Sequence, residues 1–136
     1  MQPDHIRLRI AALMGFLAVA LGAMGAHGAV HDKLQAAGEL AHWQTGVSYH
    51  LPHSILLVIL ALVGNSGGKL ASWSWRCLLG GILLFSGSLY IMAYFQPKTW
   101  AAQWLAGAVF GATPLGGLLL MTGWLLIVLS HWRRPS

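Results

Sequence analysis

Cys77-Leu-Leu-Gly-Gly-Ile-Leu-Leu-Phe-Ser-Gly-Ser-Leu-Tyr-Ile-Met-Ala-Tyr-Phe95 runs for nineteen residues without a charge. At 1.5 Å per residue, one helix of that length covers roughly the 30 Å of hydrocarbon in a bilayer. Gln96-Pro97-Lys98 ends it, as proline punctuation predicts, and Arg76 precedes it. Three further apolar segments lie around it. Residues 10–30 contain only His27 as a titratable group, and residues 46–63 carry Tyr49, His50, Pro52 and His53 at their entrance. Residues 113–132 open on Thr113-Pro114, a hydroxyl suited to capping free N–H groups followed by a residue suited to a first helical turn. Gly64-Asn65-Ser66-Gly67-Gly68 supplies a turn. Residues 99–111, apolar but interrupted, read as a short interfacial or partly re-entrant helix before the fourth span. The expected fold is an all-α membrane protein, one four-helix transmembrane domain over residues 1–136.

Composition points the same way. The chain is 57% hydrophobic and only 8% charged, whereas a water-soluble surface wants roughly a quarter charged residues. The net charge of +5 contains no basic run beyond Arg133-Arg134, so a nucleic-acid partner is not expected. Cys77 is alone, which leaves no intrachain disulfide and no C-x-x-C pair. Arg7 and Arg9 before an apolar run also fit a cleaved secretory signal. The seventeen residues before His27 exceed most signal cores, however, and three more hydrophobic segments follow.

Basic residues are retained on the cytoplasmic side. With both termini inside, Arg7, Arg9, Lys69, Arg76, Arg133 and Arg134 are cytoplasmic and only Lys33 and Lys98 lie outside. Trp73, Trp75 and Trp132 then fall at the inner interface and Trp43, Trp100 and Trp104 at the outer one, where amphipathic rings anchor helices, while Trp124 lies deeper and packs between helices. Ala18, Gly22 and Ala26, widened by Gly15 and Gly25, form a small-residue surface on the first helix. Gly80, Gly81, Gly87, Gly116, Gly117 and Gly123 do likewise on the third and fourth.

The histidines are the candidate chemistry. His27 and His31 are four apart at the outer end of the first span, and His50 and His53 are three apart at the start of the second. Each spacing puts a pair on one helical face. His27, His31, His50 and His53 are therefore candidate metal ligands, with His42 in the connection as a fifth and Asp32 and Glu39 as loop carboxylates. Interfacial histidines bonded to backbone carbonyls or headgroups are the competing reading. Ser86, Ser88, Tyr90, Tyr94 and Thr113 are polar groups that belong in the bundle interior, where helix-to-helix hydrogen bonds account for them without a ligand.

Leu21-Gly-Ala-Met-Gly-Ala-His-Gly28, Trp43-Gln-Thr-Gly-Val-Ser-Tyr-His50 with His53, Leu84-Phe-Ser-Gly-Ser-Leu-Tyr90, and Thr113-Pro-Leu-Gly-Gly117 followed by Gly123-Trp124 occur in that order. Together they resemble the bacterial YgdD family, small inner-membrane proteins of unknown function related to the eukaryotic transmembrane protein 256. That family often has phenylalanine where this chain has Met24. The resemblance implies a compact four-helix membrane protein and no particular activity. It marks His27, Gln44, Tyr49, His50, His53, Ser86, Ser88, Tyr90 and Thr113 as the matching polar positions. The expected function is binding or accessory, with a polar histidine-containing site toward the outer leaflet that holds a lipid, quinone, haem or partner helix. The alternative is a membrane enzyme or metal-binding protein using His50 and His53. The expected partners are membrane lipid and either a membrane-protein partner or a second copy of the chain.

Overall fold

The computed structural model describes residues 3–64, 68–96 and 100–130, without the side chains of 100–106, 108 and 110. Five helices account for nearly all of them: α1 His5–Ala26, α2 Gly28–Ala37, α3 Leu40–Val63, α4 Gly68–Phe95 and α5 Trp100–Leu129. Helices α1, α3 and α4 and the stretch of α5 from Gly111 to Leu129 are each long and apolar enough to cross a membrane.

Local chemistry sets the ends. Asp4 caps α1 by accepting the Arg7 backbone N–H at 3.1 Å, which satisfies one of the free donors of the first turn. The first span was expected to continue to residue 30. It stops at Ala26 because His27 is extended and Gly28 has a φ of +76°, a conformation that glycine alone adopts without a Cβ penalty. The connection then folds as α2, so Asp32 lies on a helix rather than in a loop. Glu39 stands between α2 and α3.

The fourth span also begins differently. Trp100 to Gly111 is the opening of α5 and continues through Thr113 and Pro114 into the span, so Thr113 does not start a helix and there is no separate helix before it. Pro114 leaves the Phe110 carbonyl without its usual partner, yet the helix carries on. The turn residues 65–67, together with Pro97, Lys98, Thr99 and residues 131–136, fall outside the described residues, and so do the side chains of Trp100 and Trp104.

Across the bundle the helices stand in the order α1, α3, α4, α5. Close backbone packing joins each to the next, and no Cα of α1 comes within 8 Å of α5 among the described residues. The α4–α5 contact is the most intimate. Phe85 of α4 sits where a Cβ on Gly116 would be, Leu78 lies against Gly123, and Leu120 of α5 lies against Gly81. The Ser74 hydroxyl donates to the Gly123 carbonyl at 2.7 Å across the same seam. Small residues permit this approach, and in lipid the resulting van der Waals contact drives association. Among the described residues nothing lies within 4 Å of where a Gly87 Cβ would stand.

On α1 the small surface against α3 is Ala18, Gly22 and Gly25, with Val47 facing Gly22 and the Trp43 indole against Gly25. Ala26, expected on this face, is exposed. Seven residues bring an α-helix back to nearly the same direction, whereas eight overshoot by almost a quarter turn.

Two apolar clusters fill the interior. One, toward the termini, contains Ala11, Met14, Leu57, Leu60, Trp75, Leu78, Ile82 and Leu120. The other, toward α2, contains Leu34, Trp43, Tyr90 and Ala93. Two of the tryptophans expected at the interface levels are buried between helices: Trp43 donates its indole N–H to the Leu21 carbonyl at 2.9 Å, and Trp75 to that of Leu57 at 3.1 Å. Trp73 stays exposed beside the Arg76 guanidinium. At the end bearing the N-terminus, Arg7 reaches Asp4 at 3.2 Å and the Ser72 hydroxyl at 2.6 Å, tying α1 to α4.

Candidate functional site

Between the two apolar clusters lies a polar layer. On α3 it follows Trp43 and precedes Leu57, and on α4 it follows Ile82 and precedes Ala93. His50, Ser54, Ser86 and Ser88 are all at least nine-tenths buried there. They follow from helical spacing: Trp43, Gly46, His50, Ser54 and Leu57 recur every three or four residues and share the buried face of α3.

The His50 imidazole meets the Tyr90 hydroxyl at 3.3 Å through Nδ1. The Met14 backbone of α1 lies on the same ring, but Nε2 has no partner in hydrogen-bond geometry among the described residues, and neither has Ser86 Oγ. Ser54 donates to the His50 carbonyl at 2.8 Å. Ser88 donates to the Phe85 carbonyl at 2.8 Å, so at the 2.6 Å Ser88–Thr113 contact the threonine is the donor, a direct tie between α4 and α5. Tyr90 is positioned tightly. Its ring packs on Trp43 with centroids 4.9 Å apart, and Gly46 faces it so closely that a Cβ there would stand 2.8 Å from Cε1.

His53 does not join this layer. It donates from Nδ1 to the Tyr49 carbonyl at 2.6 Å and accepts the Trp124 indole N–H on Nε2 at 3.1 Å. A carbonyl only accepts and an indole only donates, so the ring is the neutral Nδ1–H tautomer with both nitrogens engaged. Tyr49 stacks on His53 and tilts against Phe85 on the outer surface of the bundle. His27 is exposed where α1 gives way to α2. His31 donates from Nδ1 to the Gly25 carbonyl at 2.8 Å, and His42 meets Glu39 at 2.7 Å on the surface. Among the described residues, no three His, Cys, Asp or Glu side chains gather closely enough to hold a metal ion. The nine matching positions thus divide. His50, Ser86 and Tyr90 share the layer, Ser88 pairs with Thr113, Tyr49 pairs with His53, and His27 and Gln44 stand apart.

Two grooves open beside this layer, on either side of Trp43. One, of about 240 Å³, is lined by Met24, Trp43, Tyr90, Ile91, Tyr94 and Phe95 from α1, α3 and α4. The other, of about 190 Å³, lies along the α1–α3 seam and includes Gly22, Gly25, Gln44 and Ser48. Sequence reasoning missed Trp43 as the wall between them. The available signal was its place three residues before Gly46 and seven before His50, on the buried face. Lys33 was also missed: its Nζ stands 3.5 Å from the Tyr94 ring centre.

Comparison with known proteins agrees with this architecture. The family profile described as protein of unknown function (DUF423) matches residues 21–117. The UPF0382 inner membrane protein YgdD of Escherichia coli is 37% identical over 131 residues, covering 96% of this chain and 92% of that one. A UPF0382 membrane protein of Haemophilus influenzae is 36% identical over 129 residues, 95% of each chain. YwdK of Bacillus subtilis, another UPF0382 membrane protein, is 38% identical over 127 residues, 89% of this chain and 91% of its own. No solved structure matches.

Proposed function

The chain belongs to the DUF423 family of membrane proteins, and on that footing we propose that it is a lipid-binding accessory protein of the inner membrane, holding an apolar chain in the groove beside Trp43 and Tyr90. The observation that carries this is the groove itself. Its six lining residues are apolar or aromatic and come from three helices, and its side wall, Tyr90, is braced by Gly46, Trp43 and His50. At about 240 Å³ it is smaller than the roughly 300 to 1,000 Å³ pockets that enclose a drug-sized ligand. It suits a length of acyl or isoprenoid chain entering from the side.

A binding role is favoured over catalysis by the state of the histidines. His53 has both nitrogens in hydrogen bonds, so a metal or proton-transfer role requires breaking one of them. His50 has no nucleophile with an orienting carboxylate beside it, since the three carboxylates of the chain, Asp4, Asp32 and Glu39, lie toward the ends of the bundle. His50 is better suited to fixing the Tyr90 wall.

The orientation belongs to the same proposal. The end with Arg7, Arg9, Lys69 and Arg76 faces the cytoplasm, and α2 faces outward. Native mass spectrometry of gently solubilised protein tests the groove. Wild type carries lipid through detergent exchange, and Met24→Trp, which fills the groove, does not. Equal lipid retention by the two proteins would rule the groove out.

A further inference from the structure

Helix α2 lies across the end of the bundle because both of its ends are turned by glycine. Gly28 and Gly38 have φ of +76° and +75°, and Glu39 returns its N–H to the Leu34 carbonyl at 2.9 Å. Apolar side chains anchor it: Leu34 is fully buried in the cluster with Trp43, Tyr90 and Ala93, and Val30 packs against the same cluster. The neighbouring His31, Asp32 and Lys33 carry the polar face. Ionisable side chains are held out of hydrocarbon, so α2 marks the level of the lipid headgroups.

Lys33 is aimed at the groove. Its ammonium lies over the Tyr94 ring, and Tyr94 is a lining residue. A ring face attracts the charge but supplies no oxygen acceptor, so the ammonium keeps N–H donors for another partner. Carboxylates of the chain do not take that role. Asp4 pairs with Arg7, Glu39 pairs with His42, and Asp32 forms no ion pair among the described residues. The groove alone cannot select a ligand, since bulk lipid tails are as apolar as its walls and give no hydrophobic driving force. Selection therefore falls to the cation at its mouth.

Resting on the groove reading above, we infer that the site takes an anionic phospholipid of the leaflet at the α2 end, its acyl chain against Met24, Ile91 and Phe95 and its phosphodiester on Lys33. The phosphate oxygens are acceptors without a compensating ammonium, which complements the charge and free donors of Lys33. The lipid class is thus phosphatidylglycerol-like.

The test uses the full chain in detergent, with phosphatidylglycerol and a diacylglycerol of the same acyl chains as probes and native mass spectrometry as readout. A single lysine near anionic headgroups contributes about fivefold in affinity. Wild type retains phosphatidylglycerol over diacylglycerol by about that factor. Lys33→Met, which keeps the aliphatic stem, takes up both lipids without preference, and Lys33→Gln does the same. Met24→Trp takes up neither, while its tryptophan-fluorescence melt shows a folded bundle. An unchanged preference in both Lys33 variants, or none in wild type, overturns the headgroup assignment and leaves the groove standing. Retention of both lipids by folded Met24→Trp overturns the groove, and this inference with it.

Discussion

Replacing Gly46 by alanine is the smallest change that tests how the candidate site is braced. The added Cβ would stand 2.8 Å from Tyr90 Cε1 and 3.2 Å from Cδ1 and Cζ. Ordinary carbon contacts begin near 3.5 Å, so the ring must retreat by about 0.7 Å. It has little freedom to do so, with Trp43 packed 4.9 Å away between centroids and a 3.3 Å hydrogen bond to His50 that any retreat lengthens. Overpacking of this kind costs about 1 to 3 kcal/mol, while alanine in place of glycine inside a helix returns roughly 0.5 to 1 kcal/mol. The difference spans about 0 to 2.5 kcal/mol, centred on a destabilisation of about 1 kcal/mol. Gly87→Ala is the control, since its Cβ meets nothing within 4 Å among the described residues and only the helical gain remains. Thermal melts in detergent, followed by tryptophan fluorescence, should rank Gly87→Ala at or above wild type and Gly46→Ala below it. In a Tyr90→Leu background the Gly46→Ala penalty should vanish. A Gly46→Ala melt equal to wild type, or a penalty that persists without the tyrosine, would refute the brace.

Ser88→Ala and Thr113→Ala should each destabilise by about 0.5 to 1 kcal/mol, and the double variant by less than their sum, because one 2.6 Å contact is lost in all three; strict additivity in a double-mutant cycle would deny the α4–α5 tie. Nitrogen-15 spectra of His53 should show a protonated Nδ1 and an accepting Nε2, with the Nε2 resonance moving in Trp124→Phe; the opposite tautomer would remove the link between α3 and α5. Reporter fusions at Ser136 and within α2 should report opposite compartments, cytoplasmic for the terminus; matching signals would contradict the proposed topology.

The spans were legible because uncharged runs near 20 residues have few alternatives. The buried side of α3 was not read, although Gly46, His50, Ser54 and Leu57 keep helical spacing: His50 was paired with His53, which bonds to Tyr49 and Trp124 outside the polar layer. Gathering His27, His31, His50 and His53 into one cluster was not sound. Spacing along a helix fixes which residues share a face, but not whether the chain between two helices folds. Here 28–37 forms α2, which carries His31 away from the face of α1, and no three of these side chains come together among the described residues. Thr113-Pro114 misled for a related reason: proline suits a first turn, but a helix also passes through it when neighbouring packing compensates for the lost hydrogen bond. Trp43 and Trp75 also find carbonyl partners inside the bundle, which an assignment by membrane depth alone does not foresee.

The order of helices across the bundle bears on how the molecule is built. Setting aside the short α2, each span packs on the one made just before it: α3 on α1, α4 on α3, and α5 on α4, with no Cα approach within 8 Å between first and last among the described residues. In a chain delivered to the bilayer one segment at a time, each buried face therefore waits no longer than the arrival of the next span. When α3 arrives, the Ala18–Gly22–Gly25 surface is already in place to receive it. When α5 emerges last, Phe85 and Leu78 on α4 are ready for its glycines. Assembly in this order is a local process, and loss of the last span would leave the α1–α3–α4 groove with all six of its lining residues.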